Sequence, residues 1–186
     1  GHFDFNLGFK KFAMVTSVSA SKFGDIKMGK KRAHGDSNWG LWNNYVDQVD
    51  GQDTMLANPD NLVQLGSGFI QYDILNKMAV KLGNKYELSS NIQYSNSSNI
   101  NRNDVLDDYK GGNLKWAEWY YGPQQRIFSS LKLDIKSGST LFHRASIIAS
   151  YQNVNESRIN RKFQNANRTT RKENVQVIGL NMDMVR

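Results

Sequence analysis

Hydrophobic and polar residues alternate by twos along much of this chain, and helical spacing is scarce. Near the start Phe3, Phe5, Leu7 and Phe9 share one parity, while Asp4, Asn6, Gly8 and Lys10 take the other. Over residues 68–82 one face reads Ile70, Tyr72, Ile74, Asn76, Met78, Val80 and Leu82. After Gly83-Asn84 the alternation resumes with Tyr86, Leu88, Ser90, Ile92 and Tyr94. Ile127, Leu131, Leu133 and Ile135 then oppose Arg126, Lys132, Asp134 and Lys136, and Ala145, Ile147, Ala149 and Tyr151 follow in the same way. Residues 174–186 alternate too, but both parities carry apolar side chains, so their orientation stays open. A period of two is the mark of a strand with unlike faces. The pattern predicts about seven strands, several longer than the five or six residues usual in soluble sheets.

The connections alternate as well. Lys10-Lys11, Gly83-Asn84 and Ser137-Gly138-Ser139 read as tight turns. Long polar connections lie between them, at about 23–64, 96–122 and 157–172. Short turns at one end and long loops at the other are the asymmetry of an outer-membrane barrel. A soluble sandwich explains the alternation but not long loops gathered at one end, which compact domains rarely carry. The expected fold class is therefore all-β: an antiparallel, up-and-down transmembrane β-barrel, present in part. Its lipid-facing positions would be Ile70, Tyr72, Ile74, Met78, Val80, Leu88, Ile92, Leu131 and Leu133.

Composition narrows the chemistry. The 186 residues include no Cys, which excludes a disulfide scaffold, a zinc ribbon and a thiol nucleophile. No apolar run approaches the length of a transmembrane helix. The net charge of +7 admits nucleic acid, anionic lipid or an acidic ligand. Residues 24–31 nearly spell a phosphate-binding loop, yet Lys31 stands where the motif needs Ser or Thr and no apolar helix follows. The basic run Arg158, Arg161, Lys162, Arg168, Arg171 and Lys172 has only Phe163 for base stacking, so it reads as a solvated loop able to meet lipopolysaccharide phosphates. Asp47, Asp50 and Asp53 recur every three residues and are candidate calcium ligands, although the spacing is not an EF-hand. His2, His34 and His143 are scattered; His143 reads as structural within a strand. No nucleophile–base constellation exists, so no enzyme is expected.

The segments LKWAEWYYGPQQR (114–126), SASKFGDIKMG (19–29), VDGQD (49–53) and IQYSNSSNINRND (92–104) resemble TonB-dependent outer-membrane receptors. The nearest group is the Bacteroidetes-type haemoglobin/transferrin/lactoferrin receptors. The resemblance implies that residues 1–186 form part of the N-terminal half of a larger plugged barrel of the bacterial outer membrane, with plug and remaining strands outside this chain. It implies energised uptake of a scarce, bulky ligand of the iron-chelate, haem or cobalamin class. The partners would be outer-membrane lipid, lipopolysaccharide and, through the plug, the TonB complex, with no nucleic acid. Outer loops would hold the ligand, which makes Trp39, Trp42, Tyr45, Trp116, Trp119 and Tyr120 its candidate contacts. Some relatives order their loops with calcium on Asp clusters, the one cofactor implied here. A haem role is not carried over: NPDN (58–61) only echoes one haem-receptor box and lacks its partner. The alternatives are a soluble β-sheet module stacking glycans on Trp116, Trp119 and Tyr120, and, less favoured, a basic nucleic-acid-binding domain.

Overall fold

The computed structural model describes residues 1–31 and 35–186. The chain is all-β and antiparallel. Its large sheet runs β1 (His2–Gly8), β2 (Phe12–Phe23), β7 (Phe69–Leu82), β8 (Tyr86–Ser97), β13 (Gln125–Lys136), β14 (Arg144–Lys162) and β15 (Arg168–Val185). Two short pieces extend this path. β9 (Ile100–Asn101) continues β8, and β12 (Trp116–Tyr121) continues β13, each keeping the pairing of the strand it prolongs. What remains is seven long lines of chain, each paired with its neighbours in sequence. The sheet is an up-and-down meander, and it is open: β1 and β15 are its two edges.

Register decides the faces. Phe3, Val18, Ile74, Tyr94 and Ile127 stand opposite one another across five strands. Leu7, Met14, Met78, Ser90, Leu131, Ala149 and Leu180 form a lower row across all seven. Because side chains alternate along each strand, these rows share one apolar face. Pairing with β14 orients the last strand, which alternation left open: Ile178, Leu180, Met182 and Met184 join the apolar face. The other face carries Lys77, Asn91, Ser130 and Ser150 in one row, and Ala79, Ser89 and Lys132 in the next.

The apolar face is not a core. Leu131 is 50% exposed, Leu180 76% and Phe3 66%. Among the described residues only Trp42, Leu114, Ala145 and Ile159 are buried hydrophobics, and three of them lie at the loop end or in its loops. On β7 the positions of the apolar face from Tyr72 to Leu82 span about 35 Å of strand. Tyr72 and Tyr94 flank this band toward the loops, and Tyr86 with the stacked pair Phe9–Phe12 flanks it toward the turns.

Both long connections, 24–68 and 98–124, lie at one end of the sheet, and the short turns 9–11, 83–85 and 137–143 lie at the other. One expected loop is absent. Residues 157–162 and 168–172 are strand, not loop, and only 163–167 turn. The polar run hid this, because the backbone ladder to β12 and β15 holds these residues regardless of which side chains they carry. His143 also falls outside a strand, in the connection before β14. Where β12 meets β13, Gly122 and Pro123 break the line. A Cβ at Gly122 would stand 2.1 Å from Ser157 Oγ, so any larger residue there forces that side chain to move. Gly122 N donates to the Ser157 carbonyl at 2.9 Å, and Gln124 N donates to Ser97 Oγ at 3.0 Å, closing the gap in the ladder.

Candidate functional site

The two long connections build a cap at the loop end. In the first, β3 (Ile26–Lys27) pairs with β6 (Val63–Gln64), and β4 (Asn44–Val49) forms a hairpin with β5 (Gln52–Ala57). Asp50 and Gly51 turn this hairpin with φ of 51° and 77°, a left-handed pair that Asp-Gly adopts readily. The NPDN segment is a structural staple. The Asn58 side-chain amide donates to the carbonyls of Trp42 at 2.8 Å and Val63 at 2.9 Å, and Trp42 N donates to the Asn61 carbonyl at 2.8 Å. Lys27 pairs with Asp60 at 2.7 Å, so the near-phosphate loop is an extended, tied segment. The second connection holds α1 (Asn103–Leu106), β10 (Tyr109–Lys110) and β11 (Asn113–Leu114). Tyr109 donates its hydroxyl to Asn44 Oδ1 at 2.8 Å and joins the two connections.

The cap is pinned to the sheet by a charged cluster. Arg161 on β14 grips Asp53 on β5 with two parallel bonds of 2.6 and 2.7 Å, and Gln164 N donates to the same carboxylate at 2.8 Å. Arg161 Nε reaches Glu118 on β12 at 2.9 Å, and Arg168 on β15 reaches that oxygen at 2.8 Å. The Asp53 side chain is only 3% exposed and that of Arg161 11%. A buried pair of this kind holds only while both partners remain, since a lone buried charge is costly. The hydrogen bonds from Arg161 hold the Asp53 carboxyl below the usual carboxylate range against the upward push of burial. Burial pushes Glu118 up, but Arg168 and Arg161 together outweigh it and leave its carboxyl lowered. Glu118 Oε2 is buried with no partner among the described residues. A cleft of about 720 Å³ opens beside the cluster, lined by Gln48, Gln52, Gln164 and Arg168 among others.

The aromatic candidates divide into groups. Trp42, Tyr45 and Trp116 line one cavity of about 270 Å³ with Leu65 and Leu106. Trp42 is 4% exposed, and its indole nitrogen is buried with no acceptor among the described residues. Trp119 stands apart, with the Arg102 guanidinium 4.4 Å from its ring centroid and Tyr121 edge-on at 5.6 Å. Tyr120, opposite Ile159, belongs to the other parity of β12. Trp39 lies in the first connection, 67% exposed. The sequence-proposed ligand contacts are thus partly gathered and partly dispersed.

The acidic trio does not converge. Asp53 is occupied by Arg161, Asp50 sits at the hairpin turn, and Asp47 accepts the neighbouring Gln48 N at 2.8 Å. Among the described residues no group of three or more His, Asp or Glu side chains is arranged to hold a metal ion. His2 bonds Asp4 at 2.9 Å and Ser19 at 2.7 Å, and His34 lies outside the described residues. The basic run is no solvated loop either: Arg161 is the centre of the cluster, and Arg158 lies 3.6 Å from both Glu156 and Glu173.

Sequence reasoning missed Glu118, Arg161 and Arg168 as a unit, because Asp53 and Arg161 are 108 positions apart. The one available signal was Glu118, the only acid within an otherwise aromatic stretch. The chain matches no protein-family model, no curated protein and no solved structure.

Proposed function

We propose that this chain is part of the wall of an outer-membrane β-barrel receptor that takes up a scarce, bulky ligand by TonB-dependent transport. The observation that carries this reading is the apolar face shared by seven registered strands and left open to the surroundings. Withdrawing a large apolar side chain from water is worth about 1.5–3 kcal/mol. Even at half exposure, a dozen such groups represent a penalty comparable with the whole net stability of a domain, about 5–15 kcal/mol. Lipid removes the penalty, and the polar opposite face then looks into the lumen. The aromatic flanks, a band that would stand roughly 25 Å high at the 45° tilt of barrel strands, and the gathering of long connections at one end support the same orientation, with the cap outside the cell. The open edges at β1 and β15 call for further strands, since unpaired backbone is not tolerated in hydrocarbon. The cap, with Trp42, Tyr45 and Trp116 around one cavity, is the surface that would meet the ligand, of the iron-chelate, haem or cobalamin class.

Cysteine labelling in the whole receptor tests this directly, because this chain has no cysteine of its own. Met78→Cys and Leu131→Cys should react only with a membrane-confined reagent, while Lys77→Cys and Ser130→Cys should react with a small water-soluble one. Equal reaction of all four with the aqueous reagent would overturn the orientation. A water-soluble protein of 21.2 kDa would overturn the reading altogether.

A further inference from the structure

We propose that the cleft beside the Arg161 cluster binds a neutral saccharide. Its volume of about 720 Å³ lies within the roughly 300–1,000 Å³ usual for small-molecule sites. The floor is charged and largely buried, formed by Asp53, Glu118 and Arg161. The rim is exposed and rich in amides, from Gln48, Gln52, Gln164 and Asn165. No aromatic or large apolar side chain lines it, so recognition here rests on hydrogen bonds and not on stacking. The cleft shares no residue with the aromatic cavity at Trp42, and its walls are the same whichever medium covers the sheet. The inference therefore stands apart from the barrel-wall reading.

The charges select what can enter. Asp53 and Glu118 are balanced by Arg161 and Arg168, so the lining carries no net charge. Arg161 spends Nε and both terminal nitrogens on Glu118, Asp53 and the Asn165 carbonyl. Arg168 donates one N–H to Glu118 Oε1 at 2.8 Å, and its side chain is 54% exposed, so it keeps donors for a ligand. The unmet acceptor is Glu118 Oε2, buried with no partner among the described residues. A buried polar atom left unpaired is costly. An anion would accept from Arg168 but brings no donor for Oε2. An ammonium would donate to Oε2 but meets two guanidinium groups. A hydroxyl can donate to Oε2 and accept from Arg168, and it brings no charge to desolvate. Adjacent sugar hydroxyls do both at once, and the amides of the rim, which donate and accept, suit the rest of the ring.

The turn between β14 and β15 adds an independent sign. Gln164 has a φ of 55°, a left-handed conformation that glycine adopts at far less cost. Its backbone N–H is fixed on Asp53 at 2.8 Å. The turn thus carries a side chain where the backbone favours none, and that side chain lines the cleft.

The test applies the whole protein, in a detergent without a sugar headgroup, to an array of immobilised neutral oligosaccharides beside sialylated and sulfated ones of equal length. The expected result is retention on a subset of the neutral sugars and not on the charged ones. Glu118→Gln should weaken that retention by about tenfold, the size of one hydrogen bond to a charged group. Gln164→Gly should weaken it as well while leaving thermal stability intact or raised, because glycine suits the turn. Competition with the saccharide cut from the cell's own surface glycolipid separates a resident sugar from a diffusing one, and either source upholds the site. Retention of no sugar overturns the inference, and so does a preference for the charged sugars. Loss in Trp119→Ala with none in Glu118→Gln or Gln164→Gly overturns it too, in favour of stacking on the aromatic stretch.

Discussion

The sheet body and the loop cap are held by different forces. In the body, every strand from β2 to β14 is paired on both sides by backbone ladders, and the side chains of one face touch little of the chain itself. In the cap, ladders are two to six residues long, and the joints are side chains: Asn58 on Trp42 and Val63, Tyr109 on Asn44, Arg161 on Asp53. The body therefore tolerates change wherever the backbone is undisturbed and the surrounding medium accepts the side chain. The cap depends on a few polar groups, each holding one or two specific partners.

The sharpest way to break this comparison is to remove the acid at the cap's hinge. Asp53→Ala leaves Arg161 buried without its bidentate partner and should cost about 3–5 kcal/mol locally. Hydrogen exchange should then show lost protection in β4 and β5 and none in β7 and β8; equal loosening of both would mean that the two regions are one cooperative unit. Next in size is a charge on the apolar face. Leu131→Arg should impair assembly by about 2–4 kcal/mol if it lies near the bilayer midplane, as measured by urea titration in vesicles. Ser130→Arg, on the opposite face, should change it far less, and matching losses would refute the assigned faces.

The junction between the regions is the third target. Gly122→Ala drives a methyl against Ser157 Oγ and should cost about 1–3 kcal/mol by overpacking. Ser157→Gly in the same chain should restore thermal stability, and a failure to rescue would place the strain elsewhere. The smallest effect is expected from pH. Asp53 and Glu118 ionise at lower pH in the folded chain than in the unfolded one, where carboxyls titrate near about 4. Their contribution is therefore fully present well above that value and is lost as pH falls through the lowered folded values. Protection of β5 should be constant from neutral pH down to mild acid and then drop, while β7 keeps its protection. A loss already complete in mild acid would show that other groups hold the cap.

The legible part of the fold was the part governed by near neighbours. Tyr72, Ile74, Met78 and Val80 could be assigned to one face because alternation is a property of a single strand. The turn at Gly83-Asn84 was readable because Gly83 supplies the positive φ, 79°, that the turn needs. The cap was less legible. Trp42, Tyr45 and Trp116 were picked out as aromatic loop residues, but composition could not tell that they meet while Trp119 turns to Arg102. Arg161 was hidden inside a basic run whose average suggested solvation.

By itself the sequence determined the two faces of β7, β8 and β13, the place of the short turns and of the first two long connections, and the lack of metal-binding thiols. Only tertiary structure decided the orientation of residues 174–186, since apolar side chains on both parities say nothing until β14 imposes a register. It also decided that residues 157–162 continue a strand and that Asp53 closes on Arg161. The reason is physical. Alternation and turn preference depend on interactions within a few residues, whereas register and charge pairing are settled by the partner that the folded chain brings from far away.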